Sequence, residues 1–205
     1  MPRFTTYLFI ALALCSWLAL AQAGDISARF ARKLAAAEQG DPGAQYKVGF
    51  MYEKGKDTDE DPEAAFSWYL KAARQGLDKA QYKTGYFYLK GIGTDPDPEQ
   101  ALRWLTASAE QGFAAAQYQL GKYYAGQRPL RRNTYDSARH WLTAARDNGF
   151  APASERLHEL ERDYAAHIAR QRQLARAREK ARKAVEKHSP QSRVSTTPET
   201  RPVGS

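Results

Sequence analysis

The chain has 205 residues, a mass of 23.0 kDa and a formal charge of +8, with 42% apolar residues and a mean hydropathy of -0.70. That balance allows one domain of ordinary size with appendages, excludes a multi-pass membrane protein, and with 12 tyrosines and 4 tryptophans excludes a chain disordered throughout. Cys15 is the lone cysteine, so intramolecular disulfides and cysteine-based zinc sites are excluded as well.

At the N-terminus, Arg3 precedes an apolar run from Tyr7 to Leu20, and Ala21-Gln22-Ala23 supplies small residues where a signal peptidase reads. Residues 1–23 are therefore expected to be a secretory signal peptide, with the mature chain starting at Gly24 in a bacterial periplasm or outside the cell. The run is shorter than the roughly 20 residues that span a bilayer, so no transmembrane helix is expected in the mature chain. A lipidation signal around Cys15 is disfavoured, because Leu14 stands where Gly, Ala or Ser is required. Removing the segment removes the cysteine, which suits an oxidising compartment.

Residues 24–42 follow as an N-terminal capping helix, with Ile26, Phe30 and Leu34 at four-residue spacing. A period of 36 residues then organises the chain. Ala44-Gln45-Tyr46, Ala80-Gln81-Tyr82 and Ala116-Gln117-Tyr118 recur at that offset, as do Gly49, Gly85 and Gly121, and Tyr52, Tyr88 and Tyr124. Trp68 and Trp104 are also 36 apart, whereas Trp141 follows after 37, so the third unit holds one extra residue, placed in the loop 126–133. Three repeats, 43–78, 79–114 and 115–151, each read as two helices. The first covers about ten residues, such as 43–52. The second opens at Asp61-Pro62-Glu63 or Asp97-Pro98-Glu99, where aspartate caps free amides and proline fits the first helical position, and closes at Gly76, Gly112 or Gly149. The glycines inside the first helices cost about 1 kcal/mol each in helix propensity, which predicts close approach of the helix bearing Trp68, Trp104 or Trp141.

On these residues the chain resembles the Sel-like repeat family, the Sel-one type of the tetratricopeptide-like helical superfamily. The pattern Ala-x4-Gly-x2-Tyr-x2-Gly, a variable loop, then Ala-x2-Trp-x3-Ala-x2-Gly is filled in the first unit by Ala44, Gly49, Tyr52, Gly55, Ala65, Trp68, Ala72 or Ala73, and Gly76. The second unit matches with Ala80, Gly85, Tyr88, Gly91, Gly93, Ala101, Trp104 and Gly112, and the third departs at Gln127–Arg132. The resemblance implies an all-α fold: a short right-handed α-solenoid of antiparallel helix pairs, with a long C-terminal helix and a disordered tail added by this chain. It implies an adaptor or scaffold, whose groove lined by the first helices is the default peptide site. Tyr46, Tyr82 and Tyr118 are the candidate ligand-facing series, with a core role between repeats as the alternative, while Tyr52, Tyr88 and Tyr124 are assigned to the core. The cysteine-rich branch of the family, with a disulfide per repeat, does not transfer to this chain.

Residues 152–188 are expected to form a capping and then basic helix. A stripe of Leu157, Leu160, Tyr164 and Ile168 fades into Leu174, Ala181 and Val185, and His188-Ser189-Pro190 stops it. From 24 to 150 there are 18 Lys and Arg against 16 Asp and Glu, but from 151 to 205 there are 12 against 7. The positive charge is thus concentrated in an arm that includes Arg170, Arg172, Arg176, Arg178, Arg182 and Lys183, and the tail 189–205 reads as disordered. The arm is a candidate for anionic polysaccharide or lipid head groups, with a merely solvated helix as the alternative; export argues against nucleic acid. The interhelix loops also differ in sign. The first carries Glu53, Asp57, Asp59, Glu60 and Asp61, and the third Arg128, Arg131 and Arg132, giving an edge expected to run from acidic to basic.

His140, His158, His167 and His188 form no His-x3-His pair, the acidic order at loop one lacks the glycine and twelfth-position glutamate of an EF-hand, and no serine sits in a nucleophile turn. The expectation is therefore no enzyme, no metal and no cofactor. A monomeric, exported adaptor binding a protein or peptide is the leading reading, and a cell-wall, polysaccharide or anionic-lipid associated factor held by the basic arm is the alternative.

Overall fold

The periodicity of the three repeats becomes a row of six helices in which each packs on the next. The computed structural model describes residues 28–188, and all regular structure there is helical. The signal-peptide segment 1–23 and the tail 189–205 lie outside the described residues. Residues 28–38 are helical (α1), followed by α2 (Pro42–Lys54), α3 (Pro62–Arg74), α4 (Asp78–Lys90), α5 (Pro98–Glu110), α6 (Ala114–Gly126), α7 (Arg132–Asp147) and α8 (Pro152–His188). The chain divides into two units, one ending at Leu157 and one beginning at His158. The first holds the helix pairs α2/α3, α4/α5 and α6/α7. The second holds the remainder of α8, which is exposed at every position from 169 to 188.

Local chemistry sets the helix ends. Asp61 accepts from the Ala64 amide at 2.9 Å, and Asp97 from the Glu99 and Gln100 amides at 3.0 Å, each beside a proline in the first turn. Asp41 caps α2 in the same way, through the Ala44 amide. The first helices run 13 residues, longer than the ten expected, since α2 starts one residue earlier and runs two residues further, to the left-handed Gly55, as α4 runs to Gly91. The extra residue of the third unit has a larger effect than a longer loop. Helix α7 begins at Arg132 and has 16 residues where α3 and α5 have 13, and the Thr134 hydroxyl accepts from the Arg131 amide at 3.0 Å to cap the added turn.

The glycines do meet the helix that carries the tryptophans, but the contacting residue is the one after each tryptophan. A Cβ on Gly49 would lie 2.9 Å from Tyr69, one on Gly85 2.8 Å from Leu105, and one on Gly121 2.5 Å from Leu142. One helical step rotates a side chain by about 100°, so the two neighbours serve different partners. Tyr69, Leu105 and Leu142 press on the glycine of their own pair. Trp68, Trp104 and Trp141 pack instead on clusters that join the first helix of their own unit to the helix before it: Ala37, Ala44 and Val48; Ala72, Ala73 and Ala80; and Leu105, Ala109, Ala116 and Leu120. Two of the second tyrosine series pack on rings of neighbouring helices, Tyr52 meeting Phe30 edge-on at 5.5 Å and Tyr88 meeting Phe66 at 5.0 Å, whereas half-buried Tyr124 meets Tyr123, its own helix neighbour, at 5.3 Å.

One core position is chemically out of place. Val48 and Leu120, at the same register of α2 and α6, are fully buried, but α4 has Thr84 there, whose buried Oγ1 finds no hydrogen-bond partner. Thr84→Val keeps the shape and removes the orphaned hydroxyl, so a thermal melt is expected to show a gain of about 1 kcal/mol.

Candidate partner-binding surface

The glutamines that mark the period form a ladder through the first unit. Gln45 donates to the Ala37 carbonyl at 3.1 Å, Gln81 to Ala73 at 3.4 Å and Gln117 to Ala109 at 3.0 Å, all reaching back to the last turn of the preceding helix. Each amide oxygen accepts from the residue just before a later helix-ending glycine: Gln75 at 2.8 Å, Gln111 at 2.7 Å and Asn148 at 2.9 Å. The recurrent Ala-Gln-Tyr and Gln-Gly are thus two ends of one device, in which a nearly buried amide satisfies groups from two other helix ends. Gln81→Leu removes both bonds while the Ala73 carbonyl keeps the Gly76 amide at 2.9 Å and Gln111 keeps the Gly76 carbonyl at 3.0 Å, so chemical denaturation is expected to show a loss of about 1 kcal/mol.

Each ligand-facing candidate tyrosine is half-buried. Tyr46 lies 5.4 Å from the Tyr69 ring, Tyr82 lies 5.3 Å from Phe113 and 6.2 Å from Tyr86, and Tyr118 lies 4.8 Å from Phe150. Burial first, then the nearby Glu53 charge, raises the Tyr46 hydroxyl above its ordinary pKa. Burial likewise raises Tyr82, against a hydrogen bond from Gln119 that lowers it. These rings therefore contribute one side to packing between units and leave the other accessible.

Between the first two pairs lies a polar network that the sequence reading assigned to loop one. Glu53 is in the last turn of α2 and turns inward, where it accepts from Lys83 Nζ at 2.7 Å and from the Tyr69 hydroxyl. Lys54 adds a contact at 3.1 Å. Tyr69 replaces the leucine found at Leu105 and Leu142, and its hydroxyl brings in the carboxylate. Burial pushes Glu53 up, but the hydrogen bonds from Lys83 and Tyr69 outweigh it and hold the carboxyl below its usual range. Burial and the Glu53 bond hold the Tyr69 hydroxyl far above its ordinary value. The lowered Glu53 pKa makes this stabilisation present above the unfolded value of about 4.3 and lost as pH falls through the folded value. Glu53→Gln is expected to flatten the acid side of the stability–pH curve below about pH 5, measured by melts at descending pH.

Of the basic residues expected in loop three, Arg128 donates to the Ala125 carbonyl at 2.8 Å, closing α6, whereas Arg132 is the first residue of α7 and pairs one turn on with Asp136 at 2.9 Å. Arg131 is exposed. In the acidic loop, Asp61 is occupied as a cap, leaving Asp57, Asp59 and Glu60. Arg170, Arg172, Arg176, Arg178, Arg182 and Lys183 are all exposed on α8, the last two near Glu179 at 3.5 and 3.2 Å. Among the described residues there is no group of three His, Cys, Asp or Glu side chains placed to hold a metal, and no helix long and apolar enough to cross a membrane.

Helix pairs repeated at a fixed offset, each seating a large side chain on a partner glycine and bonded to the next by amides, define a helical-repeat array. The Sel1 repeat family model matches residues 42–77, 78–113 and 114–150, more than half of the chain, and the chain belongs to the Sel1 repeat family. Solved structures agree. A Sel1 repeat protein from Oxalobacter formigenes aligns with a TM-score of 0.58 at 30% identity over 70% of this chain, and a protective antigen of uropathogenic Escherichia coli strains displaying an SLR fold aligns with a TM-score of 0.59 at 28% identity over 64%. The chain spans 57% and 28% of those two proteins. No curated protein matches the chain.

Proposed function

We propose that the protein is an exported, non-catalytic adaptor that holds a protein or peptide partner on its repeat surface within the bacterial envelope. The stacked array of three Sel1 repeats carries this reading, since such repeats generally mediate protein–protein interaction. Export rests on the segment 1–23 and its Ala21-Gln22-Ala23 end. Photo-crosslinking from position 50 on α2 in intact cells, followed by mass spectrometry, tests the adaptor role: a discrete protein adduct is expected, and its absence from this and the other exposed first-helix positions overturns it. N-terminal sequencing of the exported chain should begin at Gly24, and an unprocessed chain confined to the cytosol refutes export.

A second reading is favoured by the unbroken exposure of residues 169–188, where basic side chains outnumber acidic ones. In it, the arm holds the protein on anionic polysaccharide or lipid head groups. Retention on anionic vesicles and on acidic polysaccharide at low salt, compared between the full chain and one stopped at Tyr164, decides the matter. Equal retention of the two removes the arm from function.

A further inference from the structure

The near-neutral balance of the repeats conceals a segregation of charge. The first helices α2, α4 and α6 carry Lys47, Lys54, Lys79, Lys83, Lys90 and Lys122 against only Glu53 and Asp78. The second helices α3, α5 and α7 carry six basic and five acidic residues, and the remaining carboxylates of the repeats fall in loops and caps. Glu53 is already engaged by Lys83 and Lys54, so it offers little to a ligand. Lys47, Lys54, Lys79, Lys90 and Lys122 are all exposed.

Exposed apolar side chains follow the same division. Phe50, Leu89 and Tyr123, each 36 to 38% exposed, sit on α2, α4 and α6, and no large hydrophobic residue is comparably exposed on α3, α5 or α7. Four-residue spacing puts Tyr46, Phe50 and Lys54 on one stripe of α2, Tyr82, Tyr86 and Lys90 on the matching stripe of α4, and Tyr118 and Lys122 on that of α6, where the lysine lies 5.5 Å from the ring centroid. Aromatic rings and ammonium groups share this stripe on all three helices, with Lys122 at the register of Phe50 and Tyr86, one turn before that of Lys54 and Lys90, and form a surface for a chain that is apolar and anionic in alternation.

We infer that this first-helix face binds an acidic peptide segment of a separate protein, its carboxylates meeting Lys47, Lys54, Lys90 and Lys122 and its apolar side chains resting on Phe50 and Tyr86. This inference rests on the adaptor reading and names the partner class. Charge complementarity selects the occupant. The chain's own ends do not supply it: residues 1–27 contain Arg3 and Asp25, residues 189–205 contain Arg193, Arg201 and Glu199, and the arm is basic, so none of these segments is acidic.

The test uses the full mature chain and a labelled peptide of four Glu-Glu-Tyr units, with a Gln-Gln-Tyr counterpart of equal length, followed by fluorescence anisotropy. Binding of the acidic peptide is expected to weaken with added salt and to fall about tenfold or more in Lys47→Glu/Lys90→Glu/Lys122→Glu, three exposed positions outside the Glu53 network. Reversal on the arm, Arg172→Glu/Arg176→Glu/Arg182→Glu, is expected to leave it within about twofold. Circular dichroism and melting temperature establish that both variants fold, and Phe50→Ala, which changes no charge, supplies a separate expected loss. Equal binding of the two peptides, or loss only in the arm variant, overturns the inference. Persistence of the position-50 cellular crosslink in the lysine-reversed protein leaves the adaptor reading standing and removes only the acidic selection.

Discussion

Gly85→Leu is expected to cost about 3 kcal/mol and Gly85→Ala about 1 to 2 kcal/mol, although alanine is the better helix former. The reason is what surrounds the missing Cβ: the Leu105 Cγ at 2.8 Å, but also the Ala101 carbonyl oxygen and the Leu105 amide nitrogen, both at 3.0 Å. A side chain can turn aside, whereas two backbone atoms move only if α5 moves away from α4. Fully buried small residues at Ala65, Ala101 and Ala138 mark the facing side of the same contact in each pair. Equilibrium urea unfolding of the two variants measures both losses. An alanine variant as stable as wild type or more so means that the helices separate freely and that the contact is not tight.

Gly93→Ala is expected to cost about 2 to 3 kcal/mol, by two additive routes. Gly93 has a φ of +61°, and a Cβ there would lie 2.1 Å from the Pro62 carbonyl oxygen, so the loop after α4 is pressed backbone to backbone on the start of α3. The corresponding position one period earlier is Asp57, which holds the same left-handed conformation at φ +62° with a side chain in place. Asp57→Gly is therefore expected to raise stability slightly, by a few tenths to 1 kcal/mol, while Gly93→Ala lowers it. Opposite signs at the two positions, measured by thermal melts under one set of conditions, are the expected result. Equal small effects place the strain in φ alone and remove the contact with Pro62.

Much of this architecture is legible in the sequence because it is carried by residues that answer to local rules. Asp61-Pro62-Glu63 and Asp97-Pro98-Glu99 announce helix starts through their own capping chemistry, and Gly76, Gly112 and Gly149 announce stops through a conformation that other residues avoid. The 36-residue offset then repeats these signals, the stops three times and the Asp-Pro-Glu starts twice. The residue seated on each glycine is not legible in the same way. Trp68 is the conspicuous member of its helix, but Tyr69 occupies the seat, because the choice depends on a rotation of α3 that only packing against α2 fixes. The amide ladder is likewise visible only as a recurrence. Gln45 and Gln75 are thirty residues apart and stand in different helical neighbourhoods, so nothing local links them. The Glu53 network escapes for a different reason: Glu53 precedes a run of loop carboxylates, and its inward turn follows from a tyrosine hydroxyl sixteen residues later. For the surface, the conspicuous tyrosines draw attention first, while the lysines that sort onto the first helices emerge only when each charge is assigned to its helix.

The ladder and the loop contact together settle which repeat is interchangeable. A second copy of residues 78–113 inserted after the first would find every requirement met: its Gln81 faces an alanine carbonyl eight residues back, its Gln111 has an amide to reach, and its Gly93 comes down on Pro98-Glu99, the counterpart of Pro62-Glu63. The first repeat tolerates no such move, because Asp57 would be driven onto a helix start. The ladder ends after the third repeat, where the one added residue puts Ser154 at the next position, and its side chain has no amide to extend the row. The middle repeat is a reusable module and its neighbours are terminal pieces, so the length of the array can be altered by design at one junction and is fixed at the others.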